Sequence, residues 1–156
     1  MATGTIIVPP DLGALLPEGG AGPFADGERE AIPAEAGAYL LLLRLDRPLD
    51  LVRPAAARLA PGWYVYAGSA RGPGGLRGRL ARHLRSGKRP HWHVDQVTSA
   101  AGASAGLAYP GRSECGLVAG LVDGGGFGVP VPGFGSSDCR ICESHLLRWM
   151  GSGPAS

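Results

Sequence analysis

Two stretches of this chain put side chains capable of acid–base and phosphate chemistry at helical spacing. Arg79 and His83 are four residues apart, which on a helix leaves them about 40° apart and one turn from each other. Leu76, Leu80 and Leu84 recur at the same interval and mark the buried stripe of a helix predicted over Leu76 to Ser86. The guanidinium and the imidazole thus stand at one edge of that stripe, whereas Arg82 and Arg85 are expected on the solvated side. Arginine brings charge and a planar fork that matches phosphate. Histidine can relay a proton or bond a phosphate oxygen. Further on, Glu114 is the only carboxylate between Asp95 and Asp123. It falls on the apolar face of a predicted helix with Leu117, Val118 and Leu121. A carboxylate there requires a metal, a cation or a proton, although the dipole of a helix's first turn also stabilises one.

The third chemical feature is Cys139-x-x-Cys142-x-x-His145. With Cys115 as a fourth ligand the spacing suits Zn²⁺, and His91 and His93 are further candidates. Buried thiols with no metal account for the same residues. The fourth is charge. Residues 71–93 hold seven of the fifteen Lys and Arg and no acid, which leaves eight bases against thirteen acids elsewhere. Such a block suits a polyanion, and Arg71, Arg77, Arg82, Arg85, Lys88, Arg89, His91 and His93 are its candidate contacts to a nucleic-acid backbone. A solvated helix face and loop would read the same way from composition alone.

These groups need a scaffold. Ala38 to Asp46 is predicted as a central strand, because both of its faces are apolar. Trp63 to Gly68 is a second strand, with Tyr64 and Tyr66 on one face and Trp63, Val65 and Ala67 on the other. Paired as a wide hairpin, the two strands bring Tyr39 and Tyr66 into one sheet. Asp50 to Val52 is read as a short return strand and Pro54 to Leu59 as one helical turn. A short helix over Trp92 to Thr98 and a third strand over Ala105 to Tyr109 follow. Ser113 caps the helix that carries Glu114. Asp138 to Met150 forms a last element, either helix or strand. Residues 1–33, acidic and proline-rich, are expected as a disordered or loosely attached tail, residues 34–150 as the single domain, and 151–156 as a flexible tail.

The ordered set Gly37-Ala38-Tyr39, Tyr66-Ala67-Gly68, Arg79, His83 and Glu114 resembles the site of the GIY-YIG endonuclease superfamily. The closer similarity is to its Uri-type branch, carried by HWHVD (His91 to Asp95), Glu114-Cys115, and GFGSSDC with SHL (Gly133 to Cys139, Ser144 to Leu146). The resemblance covers about residues 36–150. It implies an α/β (α+β) sandwich in which a small antiparallel sheet of about three strands is flanked by helices. It also implies a metal-dependent endonuclease that hydrolyses DNA phosphodiester bonds in repair or processing. Tyr39, Tyr66, Arg79 and His83 would be catalytic, and Glu114 would hold one Mg²⁺ or Mn²⁺. The isoleucines of both family tripeptides are alanines here. The asparagine that many members use late in the chain is not evident, and Asp138 lies near its place.

Such a hydrolase needs a base for water, a cation for the developing phosphorane, and help for the leaving alkoxide. Tyrosine is a poor base at neutral pH unless its neighbours activate it, and tyrosines in strands need no functional reason. Two other classes of function fit the same residues: a catalytically silent nucleic-acid-binding module and a small zinc-stabilised interaction domain. No apolar run is long enough to span a membrane. Three cysteines, an odd number, point to a reducing compartment and a cytoplasmic location.

Overall fold

The computed structural model describes residues 8–52, 55–85, 93–135 and 142–151. Its centre is the strand predicted from apolar residues on both faces. β2, Gly37–Leu45, is buried at every position except Arg44. It is flanked by β5, Gly62–Ala70, and β6, Ala103–Pro110, both antiparallel to it. Alternation then sorts the side chains. Tyr39, Leu41, Leu43, Tyr64 and Tyr66 face one core, and Ala38, Leu40, Leu42, Val65 and Ala67 face the other.

The sheet has six strands where the sequence implies about three. Short strands extend the central trio: β1, Ala21–Phe24, pairs with β6, and β8, Leu146–Trp149, pairs with β5. β7, Phe127–Gly128, adds to β8, giving the order β1-β6-β2-β5-β8-β7. Every pairing is antiparallel. The last element is therefore a strand, with Leu146 and Leu147 buried on opposite faces. The alanine-rich stretch expected to form a helical turn is instead β4, Ala57–Leu59, paired with β3, Leu49–Leu51. Leu51 and Leu59 point inward there, while Arg58 and Asp50 pair at 2.8 Å across the exposed side. A two-stranded ribbon of three cross-strand pairs with one apolar face outweighs alanine's helix propensity.

Helices cover both faces. α2, Gly75–Leu84, and α3, His93–Ala100, bring Leu76, Leu80, Leu84, Val94 and Val97 to the Tyr39 face. α1, Pro10–Gly13, and α4, Glu114–Gly124, bring Leu12, Leu117, Val118 and Leu121 to the opposite one. Ser113 caps α4 as its sequence predicts, accepting the Gly116 N–H at 3.0 Å.

The N-terminal segment departs from expectation from residue 8 onward. Leu12 and Ile32 are fully buried, β1 joins the sheet, and the Tyr109 hydroxyl donates to the Pro17 carbonyl at 2.9 Å. Arg77 donates to the Ile32 carbonyl at 2.9 Å and the Glu30 carbonyl at 3.3 Å. Single apolar residues spaced among prolines and glycines carry no period, so the sequence pattern hides a segment that the fold holds in place. Among the described residues, no helix is long and apolar enough to cross a membrane.

Candidate active site and an adjoining cysteine–histidine cluster

At one end of the central strands the backbone makes room for the chemistry. Tyr39 lies opposite Gly68 in the β2–β5 register. A Cβ on Gly68 would overlap the Tyr39 hydroxyl, so the glycine is what lets the phenol lie across β5. Tyr66 is two residues back on the same face. Gly135, at φ +67°, passes so close to the Tyr66 ring that a Cβ would sit 2.8 Å from its hydroxyl. Phe134 packs edge-on against Tyr66, with centroids 6.1 Å apart.

α2 then supplies its two polar groups from above. The Tyr39 hydroxyl lies 2.8 Å from His83 Nε2 and is also hydrogen-bonded by Arg79. Arg79 Nη1 donates to the Ser69 carbonyl at 3.1 Å, which fixes the guanidinium over the end of β5. Tyr39, Tyr66, Gly68, Ser69, Arg79, His83, Glu114 and Gly135 line one open cleft of about 180 Å³. The five candidate residues, Tyr39, Tyr66, Arg79, His83 and Glu114, thus meet in one place although they span 76 positions of sequence. Glu114 is not sunk in the apolar face of α4, as its spacing suggested. Its side chain is 32% exposed and reaches past the sheet end into the cleft.

A sixth participant lies beneath. Asp95 of α3 is fully buried and receives a two-pronged hydrogen bond from Arg82, 3.1 Å on each branch. Its Oδ1 is 3.8 Å from His83 Nδ1. In the tautomer that carries its proton on Nδ1, the nitrogen turned toward that carboxylate, Nε2 accepts and the Tyr39 hydroxyl donates. Arg82 is therefore not on the solvated side of α2. It bends to α3 because the buried carboxylate needs a countercharge. Sequence reasoning passed over Asp95 as a site residue, yet the argument used for Glu114 applies to it: an acid beside Val94 and Val97 on a short helix's apolar face.

Burial pushes both cleft phenols well above their ordinary range. For Tyr39 the neighbouring Tyr66 adds to this, Arg79 opposes it, and Glu114 contributes a further rise. For Tyr66 the carboxylates of Glu114 and Asp95 add to it and Arg79 again opposes. Neither phenol ionises readily by itself.

The candidate phosphate contacts separate into four groups. Arg71 and Arg85 are exposed. Arg77 and Arg82 carry the internal bonds described above. His93 is half-buried, stacks edge-on against Phe134, and accepts the Gly135 N–H at Nδ1, 3.0 Å away. Lys88, Arg89 and His91 lie outside the described residues, as do Cys139 and Asp138.

Three of the four predicted zinc ligands do converge. One ligand atom each from Cys115, Cys142 and His145 lie within 4.8 Å of one another, where the first turn of α4 meets the segment entering β8. His145 Nδ1 is 3.6 Å from Glu114 Oε2, so this cluster adjoins the cleft.

An antiparallel α/β sandwich with buried tyrosines, a guanidinium, an imidazole and a carboxylate around one cleft defines a small α/β domain with a polar cleft. Residues 38–154 match the family described as Domain of unknown function DUF123, and the chain belongs to that family. No curated protein and no solved structure matches it.

Proposed function

We propose that this chain is an endonuclease of the GIY-YIG type, Uri branch, which hydrolyses DNA phosphodiester bonds in repair or processing in the cytoplasm. The observation that carries the reading is the meeting of Tyr39, Tyr66, Arg79, His83 and Glu114 on one open cleft. Chemically, Tyr39 is the better of the two tyrosines as base. Its raised pKa makes a standing phenolate scarce, but its hydroxyl lies 2.8 Å from His83 Nε2, within reach to donate to it. As water attacks phosphorus, the Tyr39 oxygen takes the water proton and passes its own to His83, so the phenol leaves the step neutral. The resulting imidazolium faces the Asp95 carboxylate. Arg79, held by Ser69, is placed to grip the non-bridging oxygens as charge builds on them. Tyr66 closes the cleft wall beside it. Glu114, a partly exposed carboxylate at the cleft edge, fits a hard divalent ion whose other positions are water and phosphate oxygens. Mg²⁺ or Mn²⁺ there would supply charge neutralisation for the phosphate and the leaving alkoxide. Arg71 and Arg85, exposed at the two ends of the α2 segment, offer the backbone of the DNA its first contacts.

The test is cleavage of nicked, branched and duplex DNA by the full chain with Mg²⁺ or Mn²⁺. Glu114→Gln should abolish cutting and leave DNA binding largely intact. Cutting at the wild-type rate by the folded variant removes Glu114 from the site. A wild type that binds DNA and cuts nothing under any divalent ion favours a silent nucleic-acid-binding module instead.

A further inference from the structure

The cysteine–histidine cluster lies outside the chemistry proposed for the cleft, and its chemistry is of another kind. We propose that Cys115, Cys142 and His145 form a binding site for a soft divalent ion of the zinc class, which fastens the start of α4 to the entry of β8. This inference stands whether or not the cleft cuts DNA.

Four observations converge on it. The first is distance. Zn–S bonds of about 2.3 Å and Zn–N bonds of about 2.0–2.1 Å place tetrahedral ligands roughly 3.3–3.8 Å apart. The three ligand atoms lie within 4.8 Å of one another, close to that spacing. The second is an unanswered imidazole. His145 is 3% exposed, and neither of its ring nitrogens has a hydrogen-bond partner among the described residues. Its nearest carboxylate oxygen, on Glu114, is 3.6 Å from Nδ1 and beyond hydrogen-bond reach. Leaving a buried polar group unanswered is costly, and an ion on Nε2 would answer one nitrogen directly. The third is electrostatic. Cys115 is in the first turn of α4, an 11-residue helix, where the helix N-terminus favours the thiolate that binds metal. Two thiolates and a dication are together neutral, which suits a site packed against the second core beside Cys142. The fourth is the donor set. Sulfur and imidazole select zinc-like ions over Mg²⁺ or Ca²⁺, which prefer oxygen. Neither Cys115 nor Cys142 is in a disulfide.

The site has a consequence for its neighbour. With Nε2 on the ion, Nδ1–H is the ring atom turned to Glu114, so the ion would also steady the imidazole beside the cleft carboxylate.

The test reads the metal and not cleavage. The full chain, purified under reducing conditions without chelator, should carry about one zinc per chain by mass spectrometry. Replacement by Co²⁺ should give the intense visible bands of a tetrahedral site and a near-ultraviolet thiolate charge-transfer band. Cys142→Ser should weaken the charge-transfer band, and His145→Gln should shift the visible bands. Should either variant fail to fold, a wild-type measurement decides: thiols should be protected from a thiol reagent with zinc bound and react on chelation. Glu114→Gln should keep the cobalt spectrum, which separates this site from any metal in the cleft. A folded wild type with no bound zinc and only the weak octahedral cobalt spectrum overturns the proposal. So does a Cys115–Cys142 disulfide in the reduced preparation.

Discussion

Tyr64 and Tyr39 are nearly equal in burial, at 1% and 2% exposed, on the same face of the same sheet. They end in different chemistry. The Tyr64 hydroxyl donates to the Ala60 carbonyl at 2.6 Å, four residues back in its own chain. The Tyr39 hydroxyl meets an imidazole and a guanidinium brought by α2. Their surroundings differ likewise. The cavity at the Tyr64 end, about 330 Å³, holds Arg58 and Arg148 but no carboxylate or imidazole. The smaller cleft at the Tyr39 end holds both, with an arginine and a second tyrosine. Tyr109, on the opposite face, behaves as Tyr64 does and ends on a carbonyl. Neither an aromatic ring in a strand nor the size of a cavity marks a site. What sets the Tyr39 end apart is the partner of its hydroxyl.

Three experiments bear on that contrast, and the largest effect is expected beneath the cleft. Asp95→Asn keeps the shape of the side chain but leaves the Arg82 cation without its countercharge. Breaking a buried pair costs ~3–5 kcal/mol, and the 23% exposure of Arg82 puts the loss near the lower end. Asp50→Asn breaks a pair exposed on both sides and should leave the urea midpoint unchanged. Equal losses in the two variants would mean that the network under His83 is no more than a surface ion pair. Next is Gly68→Ala. Its methyl group would overlap the Tyr39 hydroxyl, and overpacking of this kind costs ~1–3 kcal/mol. DNA cleavage should fall with it, because the phenol must leave His83. A variant as stable and as active as wild type contradicts the close fit.

The smallest effect is on the alkaline side. Tyr39, Tyr66 and Tyr109 all have phenols raised by burial, Tyr109 to about 12 from an ordinary 10.0. Unfolding returns them to the ordinary value. Above that pH the unfolded chain has lost protons that the native chain keeps, so stability falls as pH rises through the alkaline window. Below it, these groups leave stability level. Urea midpoints measured in steps of pH should show the fall beginning near the ordinary phenol value, and Tyr109→Phe should shallow it. A midpoint that holds level into strong alkali would show that the three rings are not shielded in the native state.

Much of this arrangement was legible in the residues, because alternation and four-residue spacing are local patterns. They give β2, β5, α2 and α4, the faces on which Tyr39, Tyr66 and Leu80 lie, and the cap at Ser113. What they cannot give is what single residues do across long gaps. Ile32 is buried by Arg77 and α2, 45 positions on, and no period announces it. Arg82 read as solvated since helical spacing counts only neighbours on its own helix, and its partner Asp95 belongs to the next one. Ala57 to Leu59 read as helix on propensity, which a strand partner overrides. The cysteine–histidine cluster read as a C-x-x-C-x-x-H spacing with Cys115 as a candidate fourth ligand, and it is the packing of α4 that brings Cys115, 27 positions before Cys142, to it.

The central claim is that the Tyr39 hydroxyl, and not tyrosine burial as such, carries the chemistry. Single-turnover cleavage of branched and nicked DNA by wild type, Tyr39→Phe and Tyr64→Phe tests it most directly, with each fold checked by circular dichroism. Both substitutions remove one oxygen and keep the ring. The account predicts that Tyr39→Phe slows cleavage by about 10²–10⁴-fold, the contribution of a positioned base. Tyr64→Phe, losing only a bond to a carbonyl, should cut at the wild-type rate. Two folded variants that cut equally fast, or that lose activity equally, would contradict it.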